Sequence, residues 1–235
     1  MKYIAIILAG GSGSRMNNDK PKQFLELNGK TVIEYAVNAF ENNEHITDII
    51  VVVNVMFVNL MKSIAESNKW KKVRAIVNGG NERYESSYNA IKYLKDTEDA
   101  YLIFHDAARP LISNDLINRV VNALSNHDAV MTAIPSSDTI VEVNDEKDSV
   151  RSIPDRNFLM RVQTPQAFRK SLISGAYDAA LAKNDFHFTD DCGVVKEAFP
   201  NERIHIVKGE ERNLKITYES DLKIIAQLSS QYENN

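Results

Sequence analysis

Ile4-Ala5-Ile6-Ile7-Leu8-Ala9-Gly10-Gly11-Ser12-Gly13-Ser14-Arg15-Met16 begins as an apolar, largely β-branched run and turns abruptly into three glycines and two serines. A run apolar on both faces predicts a strand buried in a parallel sheet. The glycines free the backbone to approach a ligand closely, and its N–H groups can turn towards phosphate oxygens. The stretch therefore reads as a phosphate cradle at the carboxyl end of a strand. A Walker loop would need Gly-Lys-Ser/Thr at its end, where Arg15-Met16 stands. A dinucleotide fingerprint would open a long helix, with an acidic residue roughly 20 positions on. Neither fits this stretch. Lys20-Pro21-Lys22-Gln23-Phe24 follows, where Pro21 stiffens the chain beside Lys22. Arg15 and Lys22 could flank a triphosphate, and the plainer alternative is a pair of solvated surface cations.

Outward from this stretch the pattern repeats. Ile46 to Val53, Ala100 to Phe104 and Ala129 to Ile134 are further apolar runs of strand length. Val32 to Phe40, Val58 to Ser67, Arg83 to Leu94 and Asn114 to Ala123 carry apolar residues three or four apart, as amphipathic helices do. Strand followed by helix, repeated, predicts right-handed crossovers and a doubly wound α/β sheet. The alternation breaks from Ser136 to Asn157, where short alternating pieces surround a charged turn. This predicts an excursion from the sheet, either a hairpin arm or a long surface loop. After Gln163 the sequence predicts helices over Lys170 to Leu181 and around Asp190 to Ala198, a strand at Ile204 to Val207 and a helix over Ser220 to Leu228. Ser229 to Asn235 is polar and expected to fray.

Composition sets limits on function. The 235 residues are 43% hydrophobic and 26% charged, as in ordinary globular domains, and residues 1–235 read as one domain. A net charge of −4 gives no basic face for a nucleic-acid partner. No apolar run approaches the roughly 18 to 20 residues of a membrane span, and no leader is recognisable at the start, so a cytoplasmic protein with no membrane partner is expected. Cys192, the single cysteine, excludes an internal disulfide and a thiolate cluster, and it reads as a buried thiol rather than a nucleophile.

Six motifs then occur in order across nearly the whole chain. They are Leu8-Ala9-Gly10-Gly11-x-Gly-x-Arg15-Met16, Pro21-Lys22-Gln23-Phe24, then Gly79-Gly80-Asn81-Glu82-Arg83, then His105-Asp106-Ala107-Ala108-Arg109-Pro110. Gln163-Thr164-Pro165-Gln166-Ala167-Phe168 and Asn213-Leu214-Lys215-Ile216-Thr217 complete the set. Together these six resemble the cytidylyltransferases that act on methylerythritol phosphate and ribitol phosphate, and Thr189-Asp190-Asp191 bears on which branch. The resemblance implies a Rossmann-like nucleotidyltransferase fold, with a mixed, mostly parallel sheet and a protruding β-arm at about 136–157. It implies a homodimer formed through exchange of that arm, and transfer of CMP from CTP to a sugar-alcohol phosphate, dependent on Mg²⁺ or another divalent cation. It assigns Arg15, Lys22 and Lys215 to catalysis. Leu8, Ala9, Gly10, Gly11, Ser12, Gly13, Gly80, Asn81, Ser86 and Ala107 fall to the nucleotide, with Asn81 standing where the family often has aspartate. Asp106, Arg109, Thr139, Arg156, Thr164 and Thr189 fall to the acceptor, Thr139 and Arg156 reaching it from the partner's arm. Asp106 is also the residue that can approach the metal.

Methylerythritol phosphate is the acceptor expected, with ribitol phosphate as the alternative, and the motifs divide between the two branches. The His105 to Pro110, Gln163 to Phe168 and Thr189 to Asp191 motifs are similar to the methylerythritol phosphate enzymes of isoprenoid synthesis. Ile7 to Gly11 and Asp138-Thr139-Ile140-Val141 are similar to the ribitol phosphate enzymes of wall-polymer synthesis, and Phe158-Leu159-Met160-Arg161 replaces a tryptophan-bearing segment of the isoprenoid branch. Other nucleotidyl donors, UTP or GTP, and a silent nucleotide-binding regulator are further alternatives. His105 invites a general-base reading, yet a phosphate monoester is already a competent nucleophile, so a structural histidine is expected. Thr189-Asp190-Asp191 reads as a helix N-cap with first-turn carboxylates rather than a metal site.

Overall fold

The computed structural model describes residues 1–11, 20–183 and 188–233. In chain order its elements are β1 (Lys2–Ala9), β2 (Glu26–Leu27), β3 (Lys30–Thr31), α1 (Val32–Glu41), β4 (Asp48–Val53), α2 (Val58–Asn68), β5 (Val73–Asn78), α3 (Arg83–Tyr93) and β6 (Ala100–Asp106). There follow α4 (Asn114–Ala123), β7 (Ala129–Pro135), β8 (Glu142–Val143), β9 (Val150–Ser152), β10 (Met160–Arg169), α5 (Lys170–Ala182), α6 (Asp191–Ala198), β11 (His205–Lys208) and α7 (Glu219–Glu233). Seven of the strands form one sheet in the order β11-β7-β10-β6-β1-β4-β5. β1 runs parallel to both β4 and β6, β4 to β5, and β7 to β11, whereas β10 is antiparallel to β6 and β7. The sheet is thus doubly wound, mixed and mostly parallel, as expected.

Alternation along β1 explains why both faces must be covered. Ala5, Ile7 and Ala9 join Ile33, Val37 and Phe40 of α1 and Leu116, Ile117 and Val120 of α4 on one face. Ile4, Ile6 and Leu8 join Ala90 and Ile91 of α3, with Ile173 and Tyr177 of α5 and Val194 and Val195 of α6, on the other. Each strand side chain so buried contributes on the order of 1.5–3 kcal/mol, which only a two-sided helical cover can realise. Local chemistry starts the helices where the sequence calls for them. Thr31 and Glu34 form a reciprocal capping box for α1, Ser113 accepts from the Leu116 amide at the start of α4, and Asp190 accepts from the Gly193 amide at the start of α6.

Several expectations are corrected. The second strand pairs from Asp48, and Ile46 is buried in the core before it. Two strands of the seven-stranded sheet had no prediction: β5, a half-buried edge strand, and β10, whose apolar run is interrupted by Gln163, Thr164, Pro165 and Gln166; the short β2–β3 pair was not predicted either. The interruption is a register irregularity between Gln163 and Gln166 that contains the cis Thr164–Pro165 peptide, and this accommodates a proline inside a sheet. The tail expected to fray is helical as far as Glu233. The Asn28 side-chain amide donates to the Ala226 carbonyl and lies 2.8 Å from Ser229 Oγ and 3.0 Å from Ser230 Oγ, which ties α7 to the β2–β3 turn. Leu27, Val32, Leu111, Ile216 and Ile225 form the small core beneath it.

Ser136 to Asn157 does leave the sheet. β8 and β9 pair antiparallel as a short hairpin, and a 3-10 turn over Arg156–Phe158 leads back into β10. No helix among the described residues is long and apolar enough to cross a membrane.

Candidate active site

β1, β4 and β6 end together at one edge of the sheet, where ligands bind in open α/β folds. A cleft of about 630 Å³ opens there, lined by Leu8, Ala9, Gly10 and Gly11 of the first motif. Lys22, Gln23, Asn81, Glu82, Arg83, Ser86, Asp106, Ala107, Thr189 and Lys215 also line it. Residues separated by more than two hundred positions in sequence, such as Leu8 and Lys215, therefore meet in one place. Ser12, Gly13 and Arg15, expected in the cradle and on the triphosphate, lie outside the described residues.

The glycines of the cleft are dictated by close approach. A Cβ on Gly10 would stand 2.5 Å from Ser86 Oγ, and one on Gly80 would stand 2.2 Å from the Glu85 Cβ. The loop after β1 and the loop after β5 touch at Gly10 and Gly79, where a Cβ on Gly79 would stand 3.2 Å from the Gly10 Cα, whereas Gly80 makes room for the Glu85 side chain of α3. Ser86 accepts from the Gly80 amide at 3.1 Å, and Glu85 Oε2 accepts from the Asn81 and Glu82 amides. Gly80 and Asn81 are thereby held by their backbone, and the Asn81 side chain stands exposed at the cleft. Gln23 donates its amide to the carbonyls of Ala9 (2.7 Å) and Gly11 (3.0 Å), which locks the glycine loop to the Pro21–Phe24 segment.

The cations are set around one carboxylate. Asp106, the last residue of β6 and 7% exposed, accepts from Lys215 Nζ at 2.7 Å and from Arg83 Nε at 3.2 Å. Burial opposes its ionisation, but Arg83, Lys215 and Arg109 overcome that cost and hold the carboxyl well below the usual carboxylate range. Lys215 is placed by its neighbour: the Ile216 amide donates to the Ala108 carbonyl at 2.8 Å, and Ile216 is fully buried. Lys22 Nζ donates to the Ile216 carbonyl at 2.6 Å, so the two lysines converge through a single residue.

Behind the cleft lies a chain of buried polar groups. The Asp106 amide donates to Thr164 Oγ1, Thr164 Oγ1 lies 3.1 Å from His105 Nδ1, and His105 Nε2 lies 3.0 Å from the Arg109 carbonyl. A carbonyl can only accept, so His105 carries its proton on Nε2, and its Nδ1 accepts from the Thr164 hydroxyl. Burial lowers the His105 pKa to about 4, although its hydrogen bond to Arg109 opposes the shift. With no exposure and both ring nitrogens engaged, His105 is a structural residue, as expected. Arg109 donates to the carbonyls of Asn213 (2.7 Å) and Val162 (3.4 Å), and Asn213 donates to the Thr164 carbonyl at 2.8 Å. Arg109 and Thr164 thus fix the walls that carry Asp106 and Lys215.

Thr139 and Arg156 sit on the exposed arm and are not among the residues lining this chain's cleft. Arg156 reaches the Ser137 carbonyl at 3.5 Å, across the root of the arm. The arm and its flanks expose Ile140, Val141, Val143, Val150, Ile153 and Phe158, the last 86% exposed. Exposed apolar stretches of this kind are the sort of surface that protein contacts use. The sequence reading of Thr189-Asp190-Asp191 needs refinement. Asp190 is the N-cap, but Asp191 is wholly buried and binds Arg83 NH1 at 2.8 Å, so its carboxylate serves an ion pair across the cleft wall. Arg83, Gln23 and Asp191 are site residues that reading missed. Arg83 and Gln23 stood inside quoted motifs, whereas nothing in the spacing announced that Asp191 meets Arg83. Cys192 is buried, and burial with Asp190 and Asp191 nearby pushes its thiol well above the usual range, so it is no nucleophile.

Comparison with known proteins now bears on this geometry. The profile of IspD: 2-C-methyl-D-erythritol 4-phosphate cytidylyltransferase matches residues 3–229. Among curated relatives, the chain is 42% identical to the 2-C-methyl-D-erythritol 4-phosphate cytidylyltransferase of Thermobifida fusca, over 95% of this chain and 91% of that one. It is also 40% identical to the bifunctional ribulose 5-phosphate reductase/CDP-ribitol pyrophosphorylase Bcs1 of Haemophilus influenzae, over 97% of this chain and 48% of that protein. Among solved structures, the 4-diphosphocytidyl-2C-methyl-D-erythritol synthase of Anaerococcus prevotii superposes with a TM-score of 0.84 at 31% identity, covering 97% of this chain and 98% of that one.

Proposed function

Since the chain belongs to the 2-C-methyl-D-erythritol 4-phosphate cytidylyltransferase (IspD) family, we propose that its cleft transfers CMP from CTP to 2-C-methyl-D-erythritol 4-phosphate. The observation that carries this reading is the convergence of Lys22, Lys215 and Asp106 beside the Gly10–Gly11 backbone. In the reaction a phosphate oxygen of the acceptor attacks the α-phosphorus of CTP. The bond from that phosphorus to the oxygen bridging to the β-phosphorus breaks, and pyrophosphate leaves. The attacking group is already an anion, so no side chain must remove a proton. The demand is for positive charge on the equatorial and leaving oxygens, and cations pre-placed in a cleft meet it without reorganisation.

Lys22, together with Arg15, neutralises the triphosphate, and Lys215 supports the α-phosphate. Leu8 to Gly13, Gly80, Asn81, Ser86 and Ala107 cradle the base, ribose and phosphates. Asp106 accepts from the acceptor's hydroxyls, Thr189 lines the same side, and Arg109 and Thr164 keep Asp106 in place. Thr139 and Arg156 serve the acceptor phosphate of the neighbouring subunit in a homodimer formed through the arm. The protein works in the cytoplasm.

A divalent cation, Mg²⁺ in the first instance, fits this donor set. Among the described residues no group of three His, Cys, Asp or Glu side chains forms a metal cage. A hard cation held by one carboxylate and substrate phosphates needs none, and Asp106 is the carboxylate in place. When bound, it screens the charge of the phosphates. Ribitol 5-phosphate is a second acceptor reading, supported by the Haemophilus relative. The test of the first reading is pyrophosphate release from CTP and Mg²⁺ with each polyol phosphate in turn. The expected result is preference for methylerythritol phosphate, and turnover with ribitol 5-phosphate alone would move the assignment to the second.

A further inference from the structure

Arg83 is the first residue of α3, directly after the Gly79 to Glu82 loop, and it bridges two carboxylates from different elements. Nε meets Asp106 at the end of β6, and NH1 meets Asp191 at the start of α6. Asp191 has no exposure, and its other oxygen accepts from the Tyr177 hydroxyl of α5 at 2.7 Å. Burial opposes the charge on Arg83, but Asp191 and Asp106 outweigh it and hold the guanidinium firmly protonated. A wholly buried carboxylate is costly unless paired and hydrogen-bonded, and hydrophobic residues would fill the same space at no such cost. The chain nevertheless spends Asp191, Arg83 and Tyr177 on a network that meets the cleft through Arg83 and, beyond it, the Asp106 carboxylate.

We infer that Asp191, Arg83 and Tyr177 form a positioning relay that sets the Asp106 carboxylate for the acceptor and links it to the nucleotide loop. The inference rests on the reading of Asp106 as the acceptor's ligand. The relay has the right parts. Arg83 presents a planar fork whose Nε and NH1 serve two carboxylates at once, which the single nitrogen of lysine cannot do. Tyr177 restrains Asp191 from the side away from Arg83, and stacks against Tyr88 of α3. Thr189, at the cleft, stands two residues before Asp191, so the relay also governs where that wall lies. Asp191 and Tyr177 are wholly buried, and Arg83, though at the cleft, commits Nε and NH1 to the two carboxylates, so each is a positioning residue.

The test measures kcat and the acceptor KM by pyrophosphate release, with CTP affinity measured separately by calorimetry. Arg83→Lys and Asp191→Asn are each expected to lower kcat/KM for the acceptor about tenfold, while the Kd for CTP stays within about twofold of wild type. The double variant should fall little below the weaker single, because both break the same relay. Should Asp191→Asn fail to fold, Tyr177→Phe takes its place with a smaller loss of the same kind. Unchanged acceptor parameters, a CTP affinity that falls in step with them, or losses that multiply in the double variant would overturn the relay. Asp106→Asn in the same assay separates the two readings. If Asp106→Asn keeps full turnover, the assignment of Asp106 fails, whereas a collapse there with intact relay variants sinks the relay alone.

Discussion

Lys215 shows how much of the site a single residue decides. Its Nζ is 2.7 Å from Asp106, its backbone is pinned by the Ile216 amide to the Ala108 carbonyl, and Lys22 closes on the Ile216 carbonyl. A pre-placed donor at developing charge is worth roughly 10²–10³ in turnover, so Lys215→Ala should lower kcat by about that factor with CTP affinity little changed. Single-turnover kinetics at saturating CTP would show it, and a loss confined to CTP binding would contradict it. His105 makes the opposite case, a titratable residue beside the site that serves only the fold. Its pKa is about 4 in the folded chain against about 6.5 when unfolded. Below pH 6.5 the unfolded chain takes up a proton that the folded chain refuses until about pH 4. Stability present above pH 6.5 is therefore lost through that window, by about 3 kcal/mol in all. Urea titrations at pH 7 and pH 4.5 should show a smaller difference for His105→Asn than for wild type, and equal differences would count against the assignment. At this scale the sequence showed Lys22, Asp106 and Lys215 because they sit in motifs, and it hid Asp191 because its partner is 108 positions away.

At the scale of elements, the strands buried on both faces were legible and the half-buried or interrupted ones were not. β1, β4, β6 and β7 carry continuous apolar runs, since a helix covers each face. β5 lies at the edge and β10 is broken by the irregularity at Gln163 to Gln166, so neither shows the period that a buried strand shows. α7 outran its predicted end because the contacts that hold its last turns come from Asn28, far away in sequence. Truncating Ile225 to Ala in its small core should cost about 2–5 kcal/mol, read as a lower urea midpoint. The arm belongs to this scale too. Its exposed Ile140, Val141, Ile153 and Phe158, with Thr139 and Arg156 outside their own cleft, fit an element that works on a neighbour. Mixing Lys215→Ala subunits with Arg156→Ala subunits should restore activity towards about one quarter of wild type, because half the dimers then hold one complete site. Mixtures no more active than the parents would place Arg156 in its own subunit's site.

At the scale of the molecule, the sheet explains why six scattered motifs are one site. Parallel strands β1, β4 and β6 all deliver their carboxyl ends to the same edge, the loops after β1 and β5 meet at Gly10 and Gly79, and β10 and the 213–217 segment return to close the wall. The resulting cleft has cations facing one carboxylate in a chain of net charge −4, so phosphate recognition is local. Fold and reaction class were readable from order and spacing, because the glycine loop and the cationic set are fixed by phosphate chemistry. The acceptor was not, since one polyol phosphate differs from another by contacts of a few side chains. The measurement that tests the account most directly is pyrophosphate release with CTP, Mg²⁺ and 2-C-methyl-D-erythritol 4-phosphate, set beside UTP, GTP and ribitol 5-phosphate. Turnover should require CTP and methylerythritol phosphate together, and turnover only with UTP or GTP, or with none of the donors, would contradict cytidylyl transfer in this cleft.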